Sequence, residues 1–358
     1  MDYRTLPVLE ESFRWFGPAD PVSLPYIRQT GASAVFTSLH DIPYGEMWPR
    51  EAIQARLAMI EAAGLRWTAV ESVPVHEDIK TGSDNLTKLF ENYTTTLRHL
   101  AAEGITTVVY NFMPVLDWVR TDMRWVLPDG SESLHYDPAR FAAFEIHALK
   151  RAGAEATYSP EQLEQASAWW ASLDDAARDA FVRTIIDVFP GVKWALTLDD
   201  IRAMLAKYDG MGADGLRENL GRFLEAVIPV AEEVGVRMAI HPDDPPFSVL
   251  GLPRIVSTAG DVETIFNMAD SFKQGTEAKG GQDFANFFSN VLKESLNKLW
   301  LSGEFLSQLW VLCRNTHWTG IQMADAHHDA TRNHKWRCCK SILFSTEQRR
   351  NYNIAACL

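Results

Sequence analysis

Two kinds of block alternate along this chain. One places apolar residues every three to four positions; the other is a short apolar run. Four times the first kind closes at a glycine and the second follows at once: PYIRQTG leads into ASAVFTSL, ARLAMIEAAG into LRWTAVES, TTTLRHLAAEG into ITTVVYNF, and AVIPVAEEVG into VRMAIHP. The first period is helical. Leu86, Leu89, Phe90, Tyr93, Leu97 and Leu100 share one face, as do Leu216, Leu220, Phe223, Leu224, Val227, Ala231 and Val234. Pro229 inside the second set predicts a kink. Gly31, Gly64, Gly104 and Gly235 stand where a helix closes in the left-handed conformation that glycine adopts cheaply. The short runs are β-branched and aromatic, as strands covered on both faces should be. With SFRWF ahead of the first helix, they predict five strands, at 12–16, 34–39, 66–72, 106–112 and 236–242.

Repeated helix-to-strand units imply a parallel sheet. A closed eight-stranded barrel and an open doubly wound sheet both use such units. No Gly-x-Gly-x-x-Gly loop follows any of the runs, which weighs against dinucleotide binding. Between the fourth and fifth strands lies an insertion over roughly 113–215. It contains WVLPDGS, whose Asp129-Gly130 favours a tight hairpin turn. Helical stretches follow, including SPEQLEQASAWWASLDDAARDAFVRTIIDVF. Over a barrel such an insertion covers the active face as a lid, or it serves as helical packing or an oligomer arm.

In a parallel barrel the chemistry sits at the carboxyl ends of the strands. Those ends give Arg14, Trp15 and Phe16; Ser38, His40 and Asp41; Glu71 and Ser72, followed by His76, Glu77, Asp78 and Lys80; Asn111, then Asp117, Trp118 and Arg120; and His241, Asp243 and Asp244. Every strand thus ends in groups that bind, coordinate or transfer protons, though loop starts are polar in any case. His241 is the best single candidate for a metal ligand, because imidazole suits divalent transition metals and a strand end fixes its direction. The plainer alternative is a histidine hydrogen-bonded to a neighbouring carboxylate.

Composition bounds the partners. A formal net charge of -13 would repel nucleic acid and acidic membranes, so neither is expected as a partner. It leaves room for a small anionic substrate at a local cationic site. There is no signal-like amino terminus and no apolar run long enough to span a bilayer, so the expected location is the cytoplasm. The charge is uneven: residues 271–358 hold 11 basic and 7 acidic side chains, and all of Cys313, Cys338, Cys339 and Cys357.

Longer motifs then carry a resemblance. RWFGPADPVSL (14–24), TSLHDIPYGEMW (37–48), VESVPVHEDIKTG (70–82), YNFMPVLDWVRTD (110–122), FAAFEIHALKR (141–151) and VRMAIHPDDPP…LGLPRIVST (236–258) resemble mannonate dehydratase, colinearly over about residues 12–268. The resemblance implies a (β/α)8 TIM barrel of the xylose isomerase-like type. It implies dehydration of D-mannonate to 2-keto-3-deoxy-D-gluconate in glucuronate breakdown, with Mn2+ or Fe2+, and a homo-oligomer is compatible with it. His241 is carried over as a metal ligand from the HPDDPP motif. From their positions at strand ends, Trp15, His40, Asn111 and Arg120 are expected to line the substrate, and Glu71 and His76 to transfer protons or support those that do.

The resemblance gives a barrel domain at 1–268 and a divergent segment at 269–358. The family's later Cys, His and Asp ligands, in CTGS-, HLR- and PDHG-like motifs, have no counterpart in 269–358. The expected fold is therefore a barrel with about five recognisable strands and an atypical helical or irregular tail. Five strands cannot close as eight, and one protein ligand holds a metal weakly. The alternative function is an inactive homologue with at most sugar-acid binding or an interaction role. In the tail, Phe284, Phe287, Phe288, Val291, Leu292, Leu296 and Leu299 share a helical face. Its Cys and His spacings match no zinc module.

Overall fold

The computed structural model describes residues 9–84, 86–187, 196–273 and 341–344. The tail helix over 284–299 and the tail's cysteines and histidines lie outside the described residues.

Five parallel strands form the framework: β1 (Leu9–Arg14), β2 (Ala34–Thr37), β3 (Arg66–Glu71), β4 (Thr107–Tyr110) and, after a hairpin β5 (Asp122–Val126) and β6 (Glu132–His135), β7 (Arg237–Ile240). The sheet order is β7-β4-β3-β2-β1-β8, where β8 (Ser341–Phe344) pairs antiparallel with β1. Each of the five parallel strands therefore lies beside its predecessor in the chain, with no reversal of order. The sequence pattern did not predict β8, because a four-residue apolar run carries no readable period. Among the described residues the sheet does not close on itself.

The helices that link the strands include α1 (Leu24–Gln29), α2 (Arg50–Ala62), α3 (Glu77–Thr81), α4 (Thr87–Ala102) and α9 (Ala213–Val234). Gly31, Gly64, Gly104 and Gly235 all have positive φ, between 72° and 93°, as the closing glycines require. Tyr93, Leu97 and Leu100 of α4 and Leu216, Leu220, Phe223, Leu224 and Val227 of α9 are buried in one core. Phe223 is its hub, with the Tyr93, Tyr110 and Phe112 rings at 5.0, 5.2 and 6.0 Å. Burying each such side chain stabilises the fold by roughly 1.5–3 kcal/mol. Pro229 lies within α9, which continues through it.

The insertion contributes the β5–β6 hairpin, turned at Gly130 with φ 82°, and helices α5 (Pro138–Ala143), α6 (Pro160–Ser172), α7 (Asp175–Ile186) and α8 (Leu198–Ala206). The stretch expected to be helical breaks between α6 and α7, where Asp174 caps α7 by accepting from the Ala177 amide. Phe181, Ile185, Ile186 and Ile201 join the main core, so the insertion is packed rather than free-standing. A further helix, α10 (Ala259–Lys273), follows β7. Among the described residues no helix is long and apolar enough to cross a membrane.

Candidate active site at the strand ends

Glu71, the last residue of β3, is the meeting point. It is 9% exposed. Arg14, at the end of β1, donates to its backbone carbonyl and lies 3.7 Å from its Oε2. His241, directly after β7, brings Nε2 to 3.9 Å from its Oε1. Three strands thus send one side chain each to a single point. Burial pushes the Arg14 guanidinium down from its ordinary value, with Glu71 the main opposing charge.

The tautomer of His241 follows from its partners. Nδ1 lies 2.5 Å from the Pro242 carbonyl oxygen, which only accepts. In the neutral ring Nδ1 therefore carries the hydrogen, and Nε2 turns its lone pair toward Glu71. At 3.9 Å the two do not hydrogen-bond. Glu71 Oε2 is buried without a hydrogen-bond partner. A backbone carbonyl on one imidazole nitrogen and an open lone pair on the other is the arrangement a metal-binding histidine uses. The donor type therefore fits a divalent cation. Among the described residues no three His, Cys, Asp or Glu side chains gather around one point, so His241 and Glu71 are the extent of the donor set there.

A second network flanks the first. Lys80, 2% exposed, donates to Glu77 Oε1 at 2.7 Å, to the Met113 carbonyl at 2.8 Å and to Asp117 Oδ1 at 3.4 Å. Burial lowers its ammonium, but Glu77 and Asp117 outweigh that and hold it above its ordinary value. Asp117 Oδ2 accepts from Asn111 Nδ2 at 3.2 Å, and Asn111 Oδ1 is buried with no partner. From the insertion, Tyr208 donates to Glu77 Oε2 at 2.6 Å and Lys207 to Asp78 at 2.8 Å. The insertion is therefore docked on the strand ends.

The remaining expected residues occupy more structural positions. Trp15 is buried in the core with the Arg56 guanidinium 5.4 Å above its ring. His40 stacks on Phe16 at 6.0 Å, and burial pushes its imidazole down to about 3, helped by Arg14 and Arg56. His76 caps α3: its Nδ1 accepts from the Asp78 amide at 3.1 Å. Arg120 makes a two-pronged pair with Asp244, at 2.9 and 2.5 Å. Asp243 accepts from the Val256 amide and the Ser257 hydroxyl, pinning the loop after β7. Burial pushes its carboxyl up.

Tyr208 and Arg254 were not legible as site residues. Arg254 is 8% exposed and donates to the Leu116 carbonyl, while Nε and Nη1 have no partner. Arg254 lay inside the LGLPRIVST motif, but nothing in its spacing marked a role. Tyr208 had no local signal, because its partner Glu77 is 131 residues away. Lys80 and Glu77 did have one, the i, i+3 spacing in HEDIK.

The family model for D-mannonate dehydratase (UxuA) matches residues 9–294, which runs past residue 268. The chain is 52% identical over 267 residues to a mannonate dehydratase from Chromohalobacter salexigens, covering 75% of this chain and 68% of that one. It is 52% identical over 263 residues to one from Marinomonas sp., covering 74% and 67%. The crystal structure of mannonate dehydratase from Streptococcus suis serotype 2 is similar, with a TM-score of 0.54 at 37% identity, covering 74% of this chain and 62% of that one. The chain thus spans about two thirds of the length of these relatives. A family match over most of the chain, together with relatives 52% identical over about three quarters of it, places it in the D-mannonate dehydratase family.

Proposed function

We propose that the chain removes water from D-mannonate to give 2-keto-3-deoxy-D-gluconate, on the strand-end face of a (β/α)8-type barrel, with Mn2+ or Fe2+. The observation that carries this is the convergence of His241 and Glu71 at 3.9 Å, with Nε2 of His241 facing the carboxylate. Strand order supports the barrel: a doubly wound sheet reverses order at a switch point, and these five strands do not.

His241 would hold the cation through Nε2, and the bound ion supplies Lewis-acid stabilisation of charge developing on the substrate. Arg14 is the cation beside Glu71 and neutralises the substrate carboxylate. Glu71, with Arg14 at 3.7 Å, accepts the proton from C2 through the oxygen that has no hydrogen-bond partner. His40, neutral in its buried place, contributes shape rather than charge. Trp15 backs Arg56 from below, and Arg120 fixes Asp244 beside the loop that carries His241. His76 acts at one remove, as the cap of the helix that bears Glu77 and Lys80.

The test is product formation by the purified full chain with D-mannonate and Mn2+, with bound metal measured in parallel. His241→Ala should lose both metal and activity. Glu71→Gln should lower turnover about 10^3-fold while metal stays bound. Wild-type protein with neither product nor bound metal would sink the proposal. Loss of metal in Glu71→Gln would make Glu71 a ligand instead of the base.

A further inference from the structure

Four hydrogen bonds run without a gap from the insertion to the end of β4. Tyr208 bonds Glu77 at 2.6 Å; Glu77 bonds Lys80 at 2.7 Å; Lys80 bonds Asp117 at 3.4 Å; Asp117 bonds Asn111 at 3.2 Å. The first three side chains after Tyr208 are nearly out of solvent, at 15%, 3% and 11% side-chain exposure. Asn219 of α9 adds a bond of 2.9 Å to the Lys80 carbonyl, and the Val115 amide bonds Glu77 Oε2 at 3.0 Å. Both carboxylates are therefore held from several sides.

The chain of bonds decides how Asn111 presents its amide. An ionised carboxylate accepts and never donates, so Asp117 must face the NH2 group of Asn111. That orientation leaves Oδ1 as the unpaired acceptor end of the amide dipole, buried without a hydrogen-bond partner. An unsatisfied buried acceptor costs about 1–3 kcal/mol unless a donor arrives, and a ligand hydroxyl is such a donor.

We propose that Tyr208, Glu77, Lys80 and Asp117 form a positioning relay that fixes Asn111 with its carboxamide oxygen open to a ligand hydroxyl, so that docking of the insertion sets a polyhydroxylated ligand's hydrogen-bond partner. The relay connects elements no covalent path joins closely. Tyr208 follows α8, whereas Asn111 directly follows β4 and Lys80 lies in α3. Without Tyr208, Glu77 Oε2 keeps only the Val115 amide, so the Glu77 carboxylate is held less firmly, Lys80 gains freedom, and Asp117 pins the amide less tightly. The hydroxyl-binding half of the inference rests on the proposed function; the relay half does not.

Hydrogen-exchange mass spectrometry of the full chain tests the relay, with wild type compared against Tyr208→Phe, which keeps the ring and removes the hydroxyl. Peptides over 198–212 and over 111–119 should both exchange about tenfold faster, while those of α2 and β2 hold their rates. Acceleration confined to 198–212, spread evenly along the chain, or absent would overturn the relay. Calorimetric binding of D-mannonate tests the acceptor. Tyr208→Phe should weaken binding several-fold although Tyr208 is not itself the acceptor, and Asn111→Leu should weaken it about tenfold or more. Unchanged affinity in Asn111→Leu would overturn the acceptor role. Wild-type protein that binds no D-mannonate would overturn the proposed substrate and the acceptor role together, while the exchange result still decides the relay.

Discussion

At the scale of single residues, burial decides what the polar groups at the strand ends can do. His40 is the clearest case, pushed down to about 3 by burial beside Arg14 and Arg56. The unfolded chain takes up a proton on this ring below about pH 6.5, and the folded chain does not until about pH 3. Stability from this group is therefore complete above about pH 6.5 and is lost as pH falls toward 3, by at most about 1.4 kcal/mol per pH unit. His40→Gln should flatten the fall of the urea midpoint between about pH 6 and pH 4. An unchanged slope would show that the ring is solvated. The histidine was visible in the sequence as a strand-end group; its neutrality was not, because it depends first on burial and then on two guanidiniums brought in from β1 and α2. Arg120 shows the opposite lesson. As a free cation it looks suited to a substrate carboxylate, but the fold gives it Asp244 as a partner.

At the scale of elements, periodicity located the helices and tertiary contact set their duties. Leu97 of α4 is fully buried against α9 and the sheet, as its place on the apolar face implies. Leu97→Ala should cost about 2–5 kcal/mol in chemical denaturation, through lost burial and the cavity left behind. The α3–α9 junction is tighter still. Gly82 ends α3 with φ 66°, and a Cβ there would lie 2.4 Å from Asn219 Oδ1. Gly82→Ala should destabilise the protein by about 2 kcal/mol and speed exchange in α3, since both conformation and space refuse the methyl group. A variant as stable as wild type would mean that Asn219 swings away freely. The insertion was read as a lid or as a packing arm. Its α7 core residues make it packed, and Tyr208 and Lys207 tie it to Glu77 and Asp78 at the start of α3.

At the scale of the whole molecule, the strands act as a frame that carries distant side chains to one point. If His241 holds a cation beside Glu71, folding and metal binding are linked, and Mn2+ should raise the melting temperature of the wild type in proportion to the logarithm of its concentration. His241→Ala should remove that dependence while melting normally without metal. A wild type whose melting temperature ignores Mn2+ would argue against a cation at this point.

What the sequence alone determined was whatever repeats locally. The helix period, the closing glycines and the apolar runs fixed five strands to within a few residues, because backbone geometry and burial act over a handful of neighbours. The colinear motifs fixed the family for the same reason: they are contiguous. Tertiary structure alone decided which polar groups meet. Glu71 faces His241 across 170 residues, and Tyr208 reaches Glu77 across 131. No local pattern encodes such pairs, since they depend on how the sheet curves and where the insertion lands. It also decided charge: a histidine, a lysine and an aspartate of ordinary chemistry take shifted values once neighbours from other elements replace water.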